Sequence, residues 1–274
     1  MIIVNKNSNY SGTGLGKLPY VSAEVNALLA AYSTIAASDK YKVQVFVDAI
    51  GGLNGAIYGK LKTLMLPIFA ASALEGVTNF KTGLRAFLSL TDAQVPTVYA
   101  LNSRKLYQND AVSPASLVLA ATTNAYKISP FGVVGAAVTP AVTNNYVSNI
   151  AEGNIVFTAT NVLIQKAYGG QNQNVAINNS ATIRSFAASG IEGTATATQN
   201  ALYLNNVEGL QAVRADFSLT QVTQIGSIGK TLTATGGAER LNGLYVHGIA
   251  EGLTKAEALL LERSLNALVT SIIV

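Results

Sequence analysis

What most constrains this chain is a long succession of apolar runs, each only a few residues long. From about Leu90 onward they recur at Thr97–Leu101, Leu117–Thr122, Gly132–Val138, Asn154–Phe157 and Val162–Ala167. They continue at Val175–Ile177, Thr182–Phe186, Ala201–Leu204, Val222–Ile225 and Leu244–His247. Between them stand pairs such as Asn144-Asn145, Gly169-Gly170, Asn178-Asn179 and Asn205-Asn206. Gly and Asn tolerate the left-handed backbone of tight turns better than other residues do. Runs this short fall below helical length, and turn residues at such intervals fold strands back on one another. The expected class is mainly β, a sandwich or jelly roll. No repeat of fixed period stands out, which disfavours a propeller or solenoid.

Helices are expected at both ends of this β region. Residues 22–90 read as a mainly helical lead. Ser22 is placed to N-cap a segment in which Glu24 sits at the positive helix end and Val25, Leu28, Leu29 and Tyr32 share a face. A second segment, from Ser38 and Asp39 into YKVQVFVDAI, fits helix by Tyr41, Val45 and Ala49, and strand by Val43, Val45 and Val47. Gly51 and Gly52 end it either way. A third runs from about Ile57 to Ala73 and carries Pro67, which should break or kink it. At the other end Thr254 and Glu257 have the spacing of a capping box. Leu261, Leu265, Leu268 and Ile272 then form an apolar stripe, with Lys255, Glu262 and Arg263 elsewhere. Residues 1–21, with the Gly-rich SGTGLGKLP, read as an extended arm. The three glycines before Lys17 lack the phosphate-loop spacing and its hydroxyl residue. The division is thus an arm at 1–21, a helical attachment region at 22–90 and a sandwich at 91–274.

Charge narrows the partners. Charged residues make up 12% of the chain, against about 25% in ordinary soluble domains. Small neutral residues fill their place, which suits a surface covered by other subunits or facing neutral sugars. The net charge of +4 is scattered in pairs such as Lys40/Lys42 and Arg104/Lys105. Nucleic-acid binding wants clustered cations, so nucleic acid is not an expected partner. With no cysteine, disulfides and thiolate sites are excluded. Met1–Val4 is too short for a signal core, and Leu61–Leu74 is interrupted by Lys62 and Pro67. Synthesis in the cytoplasm and no membrane span are expected.

Chemistry is sparse. His247 is the sole histidine, and alternation along LYVHG places it on one face with Tyr245. No G-x-S-x-G elbow accompanies it, so a surface or hydrogen-bonded structural role is expected. No predicted strand carries the same-face acid pair that glycoside hydrolysis needs. An enzyme is not expected, and neither is a cofactor. Asn109, Asp110 and Asp216 could contribute oxygens to calcium, but no loop has the acid density of a tight site. Sugar binding wants an aromatic platform beside hydrogen-bonding groups. Tyr107 with Asn109, and Tyr203 with Asn205 and Asn206, are the candidates.

Two blocks carry a family resemblance. Tyr203–Asn206, Ile225–Ser227, Leu241–Val246 and Leu253–Glu257, in that order, resemble the C-terminal end of concanavalin A-like (laminin-G-like) lectin domains. The segment 58–83 is similar to one in virion structural proteins of large tailed bacteriophages, through Tyr58, Lys60, Leu61, Lys62, Leu64, Pro67 and Asn79-Phe80-Lys81. The resemblance implies a lectin-like sandwich in a phage particle, as a head or tail decoration, fibre or adhesin component. Its implied partners are other virion proteins and further copies of itself. A host surface glycan is the alternative partner.

Overall fold

The computed structural model describes residues 20–86, 90–108, 128–135, 145–150, 153–157, 161–168, 171–178, 181–189, 198–213 and 243–273. The arm expected at 1–21 lies almost wholly outside them. So do the expected strands Leu117–Thr122 and Val222–Ile225, the Ile225–Ser227 block, and Asn109, Asp110 and Asp216.

The chain opens with α1 (Ala23–Leu29), α2 (Ala37–Ala49) and α3 (Ala56–Lys60), followed directly by β1 (Leu61–Met65) and a 3-10 turn at Pro67–Phe69. Two short helices, α4 (Ala73–Gly76) and α5 (Val95–Val98), precede the hairpin of β2 (Tyr99–Asn102) and β3 (Lys105–Gln108). Then come β4 (Ile128–Gly135), β5 (Asn145–Ile150), β6 (Gly153–Phe157), β7 (Asn161–Tyr168) and β8 (Gln171–Asn178). After them run β9 (Ile183–Ala188), β10 (Thr198–Leu204), β11 (Val207–Val213) and β12 (Leu244–Glu251), and α6 (Lys255–Ile273) closes the chain. The mainly β class expected is the class found: two antiparallel sheets with helices at both ends. Among the described residues no helix is long and apolar enough to cross a membrane.

The larger sheet has the order β11-β10-β9-β4-β12-β3-β2, and β1 also pairs with β12. The smaller is the meander β5-β6-β7-β8. Strand β12 is the hub. It pairs with β4 along its whole length, with β1 over His247–Ala250, and with β3 at Leu244. Helix α6 packs on one face of the larger sheet against β4, β9 and β10, with α2 against α6 and α1 against α2. Val25, Phe46, Leu261 and Leu265 share one apolar cluster with Val133 and Val246. The other face is covered by Val77, Val95 and Val98 of the 66–98 segment and by Ile177 of β8.

Local choices in the sequence explain these elements. Ser22 accepts the Val25 N–H at 3.1 Å and caps α1 as expected. The ambiguous YKVQVFVDAI is helix: Val43, Phe46, Val47 and Ile50 turn inward at helical spacing, whereas Val45 is 49% exposed. Gly51 and Gly52, at φ +98° and +80°, end α2, and the Gly52 N–H returns to the Val47 carbonyl at 2.8 Å. At α6 the capping box forms, with Thr254 N–H on Glu257 at 2.8 Å and Glu257 N–H on Thr254 at 3.2 Å.

One expectation is corrected: the segment 57–73 is not a helix broken or kinked at Pro67. Its helix ends at Lys60, Leu61–Met65 is a strand paired with β12, and Pro67 opens the 3-10 turn. Across residue 90, β1 completes the larger sheet, and α1 and α2 share one apolar cluster with α6. Glu262, off the apolar stripe of α6, is fully buried.

Candidate functional site

The two blocks that carry the family resemblance meet in space. Strand β1 lies beside β12, Lys60 pairs with Glu257 at 2.6 Å, and Lys62 pairs with Glu251 at 2.8 Å. Asn79 accepts the Leu64 N–H at 3.1 Å and donates to the Lys62 carbonyl at 3.2 Å. The Lys81 ammonium donates to the Tyr58 and Leu61 carbonyls at 3.0 and 2.6 Å, at the negative end of α3, and lies 5.2 Å from the Tyr58 ring centroid. Burial and the nearby Lys62 hold its pKa below the usual lysine value. These motif residues organise backbone; they are architecture.

The first sugar-binding candidates sit where the β10–β11 hairpin meets α6. Asn205 and Asn206 form its two-residue turn at φ +45° and +66°, the left-handed pair of the tightest hairpins. Asn205 is spent internally. Its carbonyl oxygen accepts from Ser185 N–H at 2.8 Å and Ser185 Oγ at 3.0 Å, and its amide donates to the Ile183 carbonyl at 3.0 Å. Asn206 accepts from Arg263 at 2.6 Å. Tyr203 is buried, with its hydroxyl 3.2 Å from Glu208. Burial, then Glu208, pushes its phenol pKa up.

Beneath the turn lies Glu262. It is hydrogen-bonded to Ser185 Oγ and receives the Asn206 N–H at 3.3 Å. Burial raises its pKa against the opposing pull of these bonds. Ser185 Oγ donates to Glu262 and also lies 3.0 Å from the Asn205 carbonyl oxygen, which accepts the Ser185 N–H as well, so this one hydroxyl ties α6 to the turn. Sequence reading missed this cluster because Glu262 borders the apolar stripe and carries no local sign of burial.

Tyr107 belongs to a different place. Along β3, Leu106 turns into the core while Lys105 and Tyr107, one residue to either side, share the opposite face. There Tyr245 joins them from the start of β12. The Lys105 ammonium lies 5.8 Å from the Tyr107 ring centroid and 5.5 Å from that of Tyr245. Two glycines let the lysine stem lie flat. A Cβ on Gly135 would come within 3.2 Å of Lys105 Cδ, and one on Gly243, at φ +71°, within 3.1 Å of it. Lys105 and Tyr107 are partly exposed. Among the described residues, Lys105 has the two rings and no carboxylate as side-chain partners, and neither tyrosine hydroxyl is hydrogen-bonded. The structure does not bring Tyr107 together with Tyr203, Asn205 and Asn206, and Asn109 lies outside the described residues.

His247 is corrected in two respects. It is fully buried and not at the surface, and its ring nitrogens have no hydrogen-bond partner among the described residues. Burial drives its pKa down to about 3, with the Phe131 backbone pulling weakly the other way. A register shift between Leu244 and Val246 also changes the alternation. Tyr245, Val246 and Ala250 face the helices and Ile249 the other side, so His247 points away from Tyr245. Thr63 on β1, opposite Ile249, adds a buried hydroxyl oxygen that has no hydrogen-bond partner among the described residues. Among the described residues no three acids or histidines gather as metal ligands.

No protein-family model matches the chain, and no curated protein matches it. Solved structures overlap it loosely. The Ruminococcus gnavus IT-sialidase CBM40 bound to α2,3-sialyllactose is 11% identical with TM-score 0.37, over 52% of this chain and 83% of that one. The botulinum neurotoxin serotype C1 binding domain is 11% identical with TM-score 0.34, over 59% and 40%. A Trypanosoma rangeli sialidase in complex with 2,3-difluorosialic acid is 9% identical with TM-score 0.38, over 83% and 38%. Overlaps this loose carry no argument about function.

Proposed function

We propose that the chain is a non-enzymatic carbohydrate-binding β protein whose contact surface is the Lys105–Tyr107–Tyr245 patch. The observation that supports it is a partly exposed Lys105 and Tyr107 beside the buried Tyr245 ring, with two glycines against the lysine stem and, among the described residues, no hydrogen-bond partner for either tyrosine hydroxyl. Sugars are held by aromatic faces that stack on their C–H surfaces and by a few convergent polar groups. Of the other candidates, Asn205 and Asn206 are occupied with holding the hairpin to β9 and α6, and Tyr203 is buried with its hydroxyl on Glu208 of β11. A glycan array probed with the whole chain tests the reading. Saturable binding lost in Tyr107→Ala and kept in Tyr203→Phe supports it; no binding to any glycan refutes it.

A second reading, compatible with the first, makes the protein a structural component of a large tailed phage, assembled in the host cytoplasm with other virion proteins and with copies of itself. The low charge supports it, as does the contact between the 58–83 and 241–257 blocks, which act as one unit although far apart in sequence. Mass spectrometry of purified particles tests it, and absence of the chain from them ends it.

A further inference from the structure

We infer that the Lys105–Tyr107–Tyr245 patch is selective for a carboxylated sugar, a uronate-type pyranose, over its neutral counterpart. This rests on the carbohydrate-binding reading and specifies its ligand. The low overall charge of the chain would by itself point to neutral glycans; the local chemistry points the other way. Lys105 is the one formal charge in the patch, and among the described residues no acid neutralises it. Its neighbour Arg104 is turned to Asp39 at 3.3 Å and is already paired. A lysine held between two rings is stabilised by their π faces, yet its ammonium has three donors, and rings do not saturate them.

An anion would meet those donors together with the phenol hydroxyl of the partly exposed Tyr107. A single lysine matches a monoanion. Sulfate or phosphate recognition typically uses an arginine fork, several cations or a row of backbone N–H groups, and the patch offers none among its described residues. The partly exposed Tyr107 ring supplies the apolar surface against which the sugar ring lies, while the buried Tyr245 ring holds Lys105 in place. Gly135 and Gly243 leave room for the Lys105 stem, since a Cβ at either position would crowd its Cδ at 3.2 and 3.1 Å and push it by a few tenths of an ångström.

The test is calorimetric titration of the full chain with two matched probes, a short oligomer of glucuronic acid and the same oligomer of glucose. The acidic probe is expected to bind about tenfold more tightly. Lys105→Met should bring the two probes to similar affinity, and Lys105→Arg should keep the preference. Raising NaCl from about 0.05 to about 0.5 M should weaken the acidic probe selectively, a reading on unaltered protein that stands even if a variant misfolds. Equal or tighter binding of the neutral probe, or a preference that survives Lys105→Met, overturns the inference while leaving carbohydrate binding intact. Failure of both probes, with no hit on the glycan array, overturns both.

Discussion

His247 and Asn205 show how single residues set the behaviour of this protein. Folding buries the His247 imidazole with no partner for either nitrogen, and its pKa falls to about 3. The unfolded chain takes up that proton near the ordinary value of 6.5, so between the two values acid favours unfolding. The contribution is complete above pH 6.5 and is lost as pH falls toward about 3. Acidifying from about pH 7.5 to about pH 4.5 should remove roughly 2–3 kcal/mol through this one group. His247→Leu should flatten that dependence in denaturant titrations and cost little at neutral pH, since it removes two unpaired buried atoms. Glu262 works in the opposite sense. Its raised pKa makes its share of stability present in acid and lost as pH rises through the folded value. Asn205 combines a left-handed backbone with three side-chain hydrogen bonds. Asn205→Gly keeps the first and loses the second, whereas Asn205→Ala loses both. Thermal or chemical unfolding should show losses of about 1–2 and about 2–4 kcal/mol respectively. Any loss of sugar binding in these variants would then follow from the fold. The Asn-Asn turn was legible in the sequence from turn chemistry alone. The occupation of its side chains was not, because the partners come from β9 and α6, about 20 and 60 residues away.

At the scale of elements, β12 depends on two glycines matched to aromatic rings on neighbouring strands. Gly248 faces Phe131 of β4, and Gly132 of β4 faces Phe186 of β9. A Cβ on Gly248 would fall 2.1 Å from the Phe131 ring and 2.5 Å from the Thr63 carbonyl; one on Gly132 would fall 2.4 Å from the Val246 carbonyl. The rings can swing, but the carbonyls belong to the sheet and cannot. Gly248→Ala is therefore expected to destabilise by more than about 3 kcal/mol, or to prevent folding, as read by soluble yield and denaturant midpoint. The sequence announced β12 as a strand and α6 as a capped helix, since period and cap are local signals. It did not announce β1. Leu61–Met65 is buried on both sides except at Lys62, and a continuous apolar run gives no period by which strand and helix differ. Tyr107 was legible as a candidate, but its companions were not: Tyr245 and Gly243 join Lys105 only through the pairing of β3 with β12.

The whole molecule is closed by its two ends. Strand β1 and helices α1 and α2 come from the first quarter of the described chain, and the elements they cover, β12 and α6, come from its last. A fragment spanning 91–274, the division suggested by the change of texture near residue 90, would lose β1 and leave the His247–Ala250 side of β12 without its neighbour. The same cut would uncover the apolar face that Leu261 and Leu265 share with Val25 and Phe46. It would also strand Glu251 and Glu257 without Lys62 and Lys60, although exposed pairs of this kind add little energy. Unpaired strand edges and bared apolar faces both drive association. The fragment is therefore expected to aggregate or to remain expanded in size-exclusion chromatography. Adding residues 20–90 back on the same chain should restore a cooperative unfolding transition. A fragment 91–274 that is monomeric and unfolds cooperatively would mean instead that the helical lead is a separable attachment, and that its packing against α6 contributes little to folding.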